Sequence, residues 1–331
     1  MQLSYAGNLE DYHLDLVFGD QPTGTYVDVG GGHPVADNVS FWFYLKGWRG
    51  LVVEPQQSLA AIHAGVRPRD HTVSCLAGRE AGEVEFHVVD KLHAFSTTVR
   101  EHAASAGQFG ATYTTVRKPV RTLAALCVEA GLRQIDFLKI DVEGGEADVI
   151  AGMDFKRWRP RVILAEAVAP GSMAPAWDAW EPALLAAGYR FVLFDRLNRF
   201  YVANEQPELA ARFPPEPAPW DSVRHLWDCG RAPERTDHPD HALSRVLQAG
   251  VLAVLPSLEP ALLERLIVHG LEATGARPFS PGTARMLVGS AELPRPPATL
   301  AADLAGLLAT DALRAALGRI ACTYDGGHLA D

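Results

Sequence analysis

Cysteine is scarce in this sequence, and none of its cysteines stands close to another. The 331 residues include four cysteines, at positions 75, 127, 229 and 322. Without a short paired spacing they provide neither a zinc knuckle nor a disulfide framework. Such sparse use of cysteine indicates a reducing compartment.

Basic residues are outnumbered by acidic ones. There are 30 lysines and arginines against 40 aspartates and glutamates, which gives a formal net charge of −10. Long-range electrostatics therefore oppose broad binding to nucleic acids or anionic membranes. No apolar run reaches the length of a transmembrane helix. Residues 1–20 lack a basic region followed by an apolar run, so we expect no signal peptide and a cytoplasmic protein.

Apolar residues, in contrast, are plentiful. With 48% hydrophobic and 21% charged residues, the chain can bury a sizeable core in one large or two ordinary domains. The stretch from 25 to 55 is the most informative. It predicts a strand at 25–29, a turn at Gly30, Gly31 and Gly32, a helix at 39–45 and a strand at 51–53 that ends on Glu54.

The glycine turn and the acid after it are typical of a nucleotide site. Glycine has no Cβ, so a ligand can approach the backbone closely. Glu54 follows Gly32 by 22 residues, as expected for an acid that accepts hydrogen bonds from a ribose. The third glycine of a dinucleotide motif is replaced by Val35, which disfavours a pyrophosphate. A nucleoside with a small charged tail, such as S-adenosylmethionine, fits better; a tight turn beside a solvated glutamate is the alternative.

A second informative stretch spans residues 135–153. A predicted strand at 137–140 ends before Asp141 and Glu143, and open α/β sheets bind ligands at the carboxyl ends of their strands. If the strand continues to its tip, alternation places these two carboxylates on one side. Glu146 is predicted to have a structural role in the first turn of a helix. Glu166 stands near the end of another predicted strand, at 161–167.

The rest of the first 205 residues alternates between predicted strands and helices. Asn8 is a potential cap for a helix that includes Leu9 and Val17, and residues 91–115 form a long polar segment. The pattern indicates a doubly wound, mostly parallel sheet with one antiparallel edge. The other predicted strands lie at 72–76, 83–89, 191–194 and 199–203, and the other helices at 58–64, 121–130 and 177–187.

Residues 4 to about 204 resemble the FkbM family of S-adenosylmethionine-dependent methyltransferases. The resemblance implies a class I methyltransferase fold, a Rossmann-like sheet of seven strands with an antiparallel last strand. It also implies O-methylation, commonly of sugar hydroxyls in glycans, glycolipids or natural products. The chain departs from the family pattern at Gly7 and at Gly31-Gly32. The motifs are SYAGNLED (4–11), YVDVGGGHP (26–34), GWRGLVVEP (47–55), FST (95–97), IDFLKIDVEGGE (135–146) and FDRLNRFYVA (194–203).

These observations together predict an S-adenosylmethionine-dependent O-methyltransferase that acts on a small-molecule or glycan acceptor. A nicotinamide-dependent oxidoreductase and a methyltransferase-like binding module of a biosynthetic complex are the alternatives. A homo-oligomer is compatible with the sequence. The predicted cofactor-binding residues are Asn8, Asp28, Gly30, Gly31, Gly32 and Glu54. The predicted catalytic residues are Asp141, Glu143 and Glu166, and the predicted substrate residues are His33, His93 and Ser96.

The sequence does not distinguish between several roles for the three catalytic candidates. They can act as base, as substrate clamp or as ligands of a hard metal such as Mg or Mn. An obligatory metal is not favoured, because the same carboxylates fit a metal-free base and clamp.

Composition changes after residue 205. Five prolines among residues 207–220 indicate a semi-rigid linker or wrapping segment. Later residues are rich in alanine and leucine, with helical patterns at 242–255, 258–273 and 299–321. We therefore expect a methyltransferase domain at 1–205, a proline-rich linker at 206–240 and a helical C-terminal region of unknown role at 241–331.

Overall fold

The two informative stretches, 25–55 and 135–153, contribute strands to one central sheet. This computed structural model describes residues 1–259 except 2, 91, 93, 94, 170 and 171, and also residues 262, 265, 266 and 310–322. The chain divides into two units, Met1–Leu226 and Trp227–Asp331. The first unit contains the predicted site residues that are described. The domain boundaries expected at 205 and 240 stay predictions.

Seven strands form the central sheet. Asn198–Ala203 runs antiparallel to both of its neighbours, and the other pairs are parallel. The predicted mostly parallel sheet with an antiparallel last strand is therefore confirmed. The spatial order of the strands is Tyr189–Phe194, Asn198–Ala203, Val162–Glu166, Phe137–Ile140, Thr25–Val29, Arg49–Val53 and His71–Val73.

Apolar side chains cover both faces of this sheet. Successive side chains of a strand point to opposite faces. Accordingly, Val27 and Tyr26 belong to different buried clusters, and so do Leu138 and Phe137. Every residue of Phe137–Ile140 is buried, as expected for a central parallel strand covered on both sides. The helices of the first unit are Glu10–Phe18, Phe41–Leu45, Gln57–Val66, Arg100–Ser105, Leu123–Glu129, Glu146–Ala151, Glu181–Ala186 and Pro207–Ala210.

The strand order reverses beside the first strand of the sheet. From Thr25–Val29 the chain proceeds outward to Arg49–Val53 and His71–Val73, then returns to form Phe137–Ile140 on the other side. Ligands of open α/β sheets bind at such a reversal, outside the carboxyl ends of the strands. The loops after Val29 and Ile140 therefore border the expected ligand crevice.

Two sequence predictions fail next to this sheet. The strand predicted at 72–76 is two strands, His71–Val73 in the central sheet and Leu76–Ala77 in a separate three-stranded sheet. The chain turns between them because Cys75 N donates back to Val73 O. The remaining strands of the smaller sheet are Gly82–Val89, which was predicted, and Tyr113–Arg121, which was not.

Helix starts also differ from the sequence predictions. The helix expected from 121 begins at Leu123, because Arg121 ends a strand and the Thr122 side chain caps the helix by accepting from Ala125 N. At the N-terminus the cap is Leu9, with a φ of 64°, so the prediction of Asn8 as cap is wrong. The Asn8 side chain instead donates to Asp195 O.

Residues 207–225 belong to the first unit and pack within it. Leu209 and Phe213 join one of its buried clusters, and Arg224–His225 pairs in parallel with Leu3–Ser4. This matches the wrapping alternative for the proline-rich segment.

In the second unit the helices His241–Val254 and Asp311–Cys322 are described. The Arg319 guanidinium donates to both carboxylate oxygens of Asp240, each at 2.7 Å. Most of the predicted helix at 258–273, and residues 299–309 of the one predicted at 299–321, lie outside the described residues. The rest of the second prediction coincides with the helix Asp311–Cys322, which begins one residue after 310. No helix in the described part of the chain is long and apolar enough to cross a membrane.

Candidate active site

Gly30 forms the tightest contact in the glycine turn. Its φ is 78°, and its amide donates to Val53 O at 3.0 Å. A Cβ at this position would lie 1.7 Å from the carbonyl oxygen of Asp141. The protein's own backbone therefore requires glycine here, so close ligand approach is not needed to explain it.

Gly31 and Gly32 differ in what surrounds them. A Cβ on Gly31 would meet the Val52 side chain at 2.4 Å, whereas a Cβ on Gly32 would have no atom within 4 Å. Gly32 has a φ of 53°, in the left-handed region that favours glycine. Of the three glycines in the turn, Gly32 alone has open space on its Cβ side, where a ligand could approach.

Glu54 lies directly beside Gly32, as their spacing predicts. Its Oε2 accepts from Gly32 N at 2.8 Å and its Oε1 from Gln56 N at 2.7 Å. Burial raises the pKa of Glu54 to about 7, although these backbone donors lower it. Each oxygen keeps a second lone pair for a ligand hydroxyl. The proximity to the turn is confirmed, and the contact with a ribose stays a prediction.

His63 supports the glycine turn and was missed in the sequence. Its Nε2 lies 3.0 Å from Gly32 O, and the side chain is fully buried. Burial lowers the pKa of His63 to about 3, helped by the charge of Arg67. A neutral imidazole is therefore part of the turn's support. A single histidine in a predicted helix carries no sequence signal for this role.

Lys139 connects the glycine turn with the loop that carries Asp141. Its ammonium lies 3.4 Å from Asp28 Oδ1 and 3.5 Å from Asp141 Oδ2, and it also donates to Gly30 O. Burial alone would lower the pKa of Lys139, but the charges of Asp141 and Asp28 raise it above the ordinary value. The lysine therefore remains charged. In the sequence, the one indication of this role was a charged residue inside an otherwise apolar predicted strand.

Asp28 lies below the glycine turn. Its side chain is fully buried, and its Oδ2 accepts from Ser40 Oγ at 2.6 Å. Ser40 Oγ is in turn 2.8 Å from Nη2 of the buried Arg67. In this arrangement Asp28 holds Lys139 beneath the turn, and its predicted contact with a cofactor stays a prediction.

Three carboxylates meet above Lys139. Asp141, Glu143 and Glu166 each place one oxygen within 4.8 Å of the others. The predicted proximity of Asp141 and Glu143 is confirmed, but the reason given for it is wrong. The strand ends at Ile140, and Glu143 adopts a left-handed φ of 58°. A turn in the backbone, not strand alternation, brings Glu143 beside Asp141.

Two members of this carboxylate cluster have strongly raised pKa values. Burial, then the charges of Asp141 and Glu143, raises the pKa of Glu166 to about 11. Burial and the Asp141 charge raise the pKa of Glu143 to about 8. Glu166 is 8% exposed, and its Oε2 has no hydrogen-bond partner among the residues that the structure describes. Both groups therefore favour the neutral form more than an exposed carboxyl group does.

Glu146 and Thr97 hold the loop that carries this cluster. Glu146 Oε1 accepts from Val142 N at 3.1 Å and from Gly144 N at 3.2 Å. This confirms its predicted structural role. The Thr97 hydroxyl donates to Glu143 O at 2.9 Å. Thr97 was not singled out, although it belongs to the FST motif that includes Ser96.

Two of the three predicted substrate residues, His33 and Ser96, accept hydrogen bonds from nearby backbone amides. His33 is buried, and its Nδ1 accepts from Val35 N and Ala36 N at 3.1 and 3.0 Å. Ser96 Oγ accepts from Val89 N at 3.0 Å. His93 lies outside the described residues. All three substrate roles stay predictions, as does the cofactor role of Asn8.

His102 approaches the carboxylate loop from outside the predicted set. A Cβ built on Gly144 would lie 3.3 Å from His102 Cε1, so the ring packs against that glycine. His102 Nδ1 is buried, with no partner in the part of the chain described here. His102 belongs to the long polar segment predicted at 91–115, but no pattern in the sequence distinguished this histidine.

Comparison with known proteins identifies one family. The model of the methyltransferase FkbM domain matches residues 28–191. Among solved structures, methyltransferase FkbM from Methylobacillus flagellatus KT is similar, with 14% identity and a TM-score of 0.33. The alignment covers 55% of this chain and 44% of that one, so this chain spans less than half of that protein's length. No curated protein matches this chain.

Proposed function

We propose that this chain, which belongs to the methyltransferase FkbM family, is an S-adenosylmethionine-dependent O-methyltransferase that acts on a sugar hydroxyl. Its acceptor would be a glycan, a glycolipid or a glycosylated natural product. One observation supports this most strongly. The Gly32 and Glu54 pair and the three-carboxylate cluster lie at the carboxyl ends of neighbouring strands, where open α/β sheets bind their ligands.

The glycine turn suits the cofactor. Open space beside Gly32 admits a ligand close to the backbone, and the carboxylate of Glu54 can accept hydrogen bonds from a ribose. S-adenosylmethionine bound there supplies a methyl group on a positively charged sulfur. The Glu54 carboxylate accepts from the backbone amides of Gly32 and Gln56, so these two hydrogen bonds to the backbone hold it in place.

The carboxylate cluster suits the acceptor. A hydroxyl that becomes methylated must lose its proton, and Asp141 can take it: the O–H bond breaks and the proton moves to a carboxylate oxygen. The Asp141 side chain is 38% exposed, so an acceptor can reach it. The Lys139 ammonium, 3.5 Å from Asp141 Oδ2, helps to hold this carboxylate in place.

Glu143 and Glu166 complete the acceptor site in this proposal. As protonated carboxyls they can donate hydrogen bonds to acceptor oxygens, and as carboxylates they can accept from hydroxyls. A sugar offers several adjacent hydroxyls that match this set. Holding the reactive hydroxyl in line for transfer can supply roughly 7–11 kcal/mol of the barrier reduction.

A thermal-shift titration tests the proposal against its alternatives. S-adenosylhomocysteine should raise the melting temperature of the protein, whereas NAD should leave it unchanged, because a ligand stabilises the native state according to its occupancy. Stabilisation by NAD alone would favour an oxidoreductase. No response to either would favour a binding module.

Turnover on a panel of sugars then tests the chemistry. Asp141→Asn should lower methyl transfer by about 10²–10⁴-fold, the usual effect of losing a general base. Its affinity for S-adenosylhomocysteine should remain near that of the parent. Parental turnover in this variant would overturn the role given to Asp141.

A further inference from the structure

Negative groups outnumber positive ones at the carboxylate cluster. Asp141, Glu143 and Glu166 approach one another, and Asp28 lies below them. Lys139 is the basic side chain in contact with this group, and its ammonium is shared between Asp28 and Asp141. No ion pair in the described part of the chain involves Glu143 or Glu166. When these carboxylates ionise, the cluster lacks compensating positive charge.

The spacing of the oxygens fits a single ion. Hard divalent cations bind oxygen ligands at about 2.0–2.6 Å, so ligands on opposite sides of an ion are about 4–5 Å apart. One oxygen from each of Asp141, Glu143 and Glu166 lies within 4.8 Å of the other two. The three side chains come from the ends of two neighbouring strands and the turn between strand and helix.

Glu166 provides an independent indication of a ligand. The residue is more than nine-tenths buried, and its Oε2 has no partner among the described residues. A buried polar atom without a partner is costly, and such atoms commonly mark an unseen water or ion. Its place in the three-oxygen group directs this carboxylate toward the other two.

We propose that Asp141, Glu143 and Glu166 bind one divalent cation of the Mg²⁺ or Mn²⁺ class. The group contains neither cysteine nor histidine, and an all-carboxylate set suits these hard ions rather than zinc. The partly exposed Asp141 gives the ion a path from solvent. This reverses the sequence-based preference for a metal-free site.

The bound ion would also define the acceptor more narrowly. Three protein oxygens leave positions for oxygens from outside the protein. A pair of adjacent hydroxyls can occupy two such positions, which favours a vicinal diol as acceptor. This part rests on the proposed methyl transfer, whereas cation binding itself does not.

Direct binding of Mn²⁺ to the full chain tests the site without requiring activity. Electron paramagnetic resonance of free Mn²⁺, in a titration of metal-stripped protein, should show one bound ion per chain that excess Mg²⁺ displaces. Glu166→Gln and Asp141→Asn should each weaken Mn²⁺ binding by roughly tenfold or more, since even outer-sphere partners of a metal are worth 10–100-fold.

A matched variant controls for loss of surface charge. Glu83 is an exposed glutamate on the smaller sheet, and it forms an ion pair with Arg117 at 3.4 Å. Glu83→Gln should bind Mn²⁺ like the parent. Melting curves of the metal-free variants verify that they fold. Glu166→Gln should melt near the parental temperature, because the amide has nearly the size and shape of the carboxyl group that it replaces.

Two outcomes would overturn the proposal. One is a parent protein that binds no Mn²⁺ at millimolar concentration; the other is equal affinity in the parent, Glu166→Gln and Asp141→Asn. S-adenosylhomocysteine binding is measured on the same samples. Its absence in the parent would count against the proposed function and leave the cation site standing.

Discussion

The backbone of Gly30 lies so close to Asp141 that a Cβ on the glycine would be 1.7 Å from the aspartate's carbonyl oxygen. The two residues follow neighbouring parallel strands, and Asp141 N donates to Val29 O at 3.1 Å. The glycine turn and the carboxylate loop therefore pack directly on each other. A change in one loop is expected to displace the other.

Gly30→Ala is expected to destabilise the fold. The added methyl group meets rigid backbone, and overpacking costs typically 1–3 kcal/mol in addition to about 1–2 kcal/mol for a left-handed alanine. Gly131→Ala is the matched control, because Gly131 has a φ of 64° and open space around its Cβ position. Urea denaturation should show a clearly larger loss of unfolding free energy for Gly30→Ala. Equal losses of unfolding free energy in the two variants would mean that the backbone around Gly30 and Asp141 shifts at little cost to accommodate the methyl group.

Cofactor affinity is expected to depend on pH through Glu54. Burial raises the pKa of Glu54 to about 7, and the ionised carboxylate accepts ribose hydrogen bonds better than the neutral acid. Affinity for S-adenosylhomocysteine should therefore increase by roughly tenfold between pH 6 and 8, as the ionised fraction rises. Calorimetric titration at several pH values measures this increase.

Glu54→Gln provides the comparison for that measurement, and its affinity should be lower at pH 8 and nearly independent of pH. Folding stability should shift in the opposite sense. Because the folded pKa exceeds the ordinary value of 4.5, Glu54 lowers the unfolding free energy as pH rises from about 4.5 to 7. A parental pH profile of affinity in Glu54→Gln would exclude Glu54 as the titrating group.

Glu143 is expected to lower the stability of the fold while it contributes to methyl transfer. Its left-handed φ of 58° strains a non-glycine residue, and its carboxyl group adds to the crowded cluster. Glu143→Gly should raise the unfolding free energy by about 1 kcal/mol through relief of that strain, while methyl transfer falls. Arg196 is exposed and has a φ of 80°. Arg196→Gly should therefore raise the unfolding free energy similarly, without loss of methyl transfer. Full activity in Glu143→Gly would remove this residue from the site.

The sequence predicted the central sheet well because its strands are short apolar runs with clear ends. Thr25–Val29 and Phe137–Ile140 occur where the pattern placed them. The break between His71–Val73 and Leu76–Ala77 was missed, because both halves are apolar and the turn between them depends on a backbone hydrogen bond.

The sequence predicted one part of the candidate site and missed another. Acids at strand ends identified the carboxylate cluster, since parallel strands end at one edge. Lys139 and His63 were missed because their roles depend on residues distant in sequence, Asp28 and Gly32. The approach of His102 to Gly144 likewise follows from the packing of a loop, which no local pattern encodes.

Calorimetric titration of S-adenosylhomocysteine into the parent, Gly32→Ala and Gly131→Ala measures whether the cofactor binds beside Gly32. Gly32 and Gly131 share a left-handed φ and open space, so alanine should strain both backbones similarly, but only Gly32 borders Glu54 and the proposed cofactor site. We expect one binding site per parent chain, unchanged affinity in Gly131→Ala, and at least tenfold weaker binding in folded Gly32→Ala. No binding to the parent, or equal affinity in all three proteins, would contradict it.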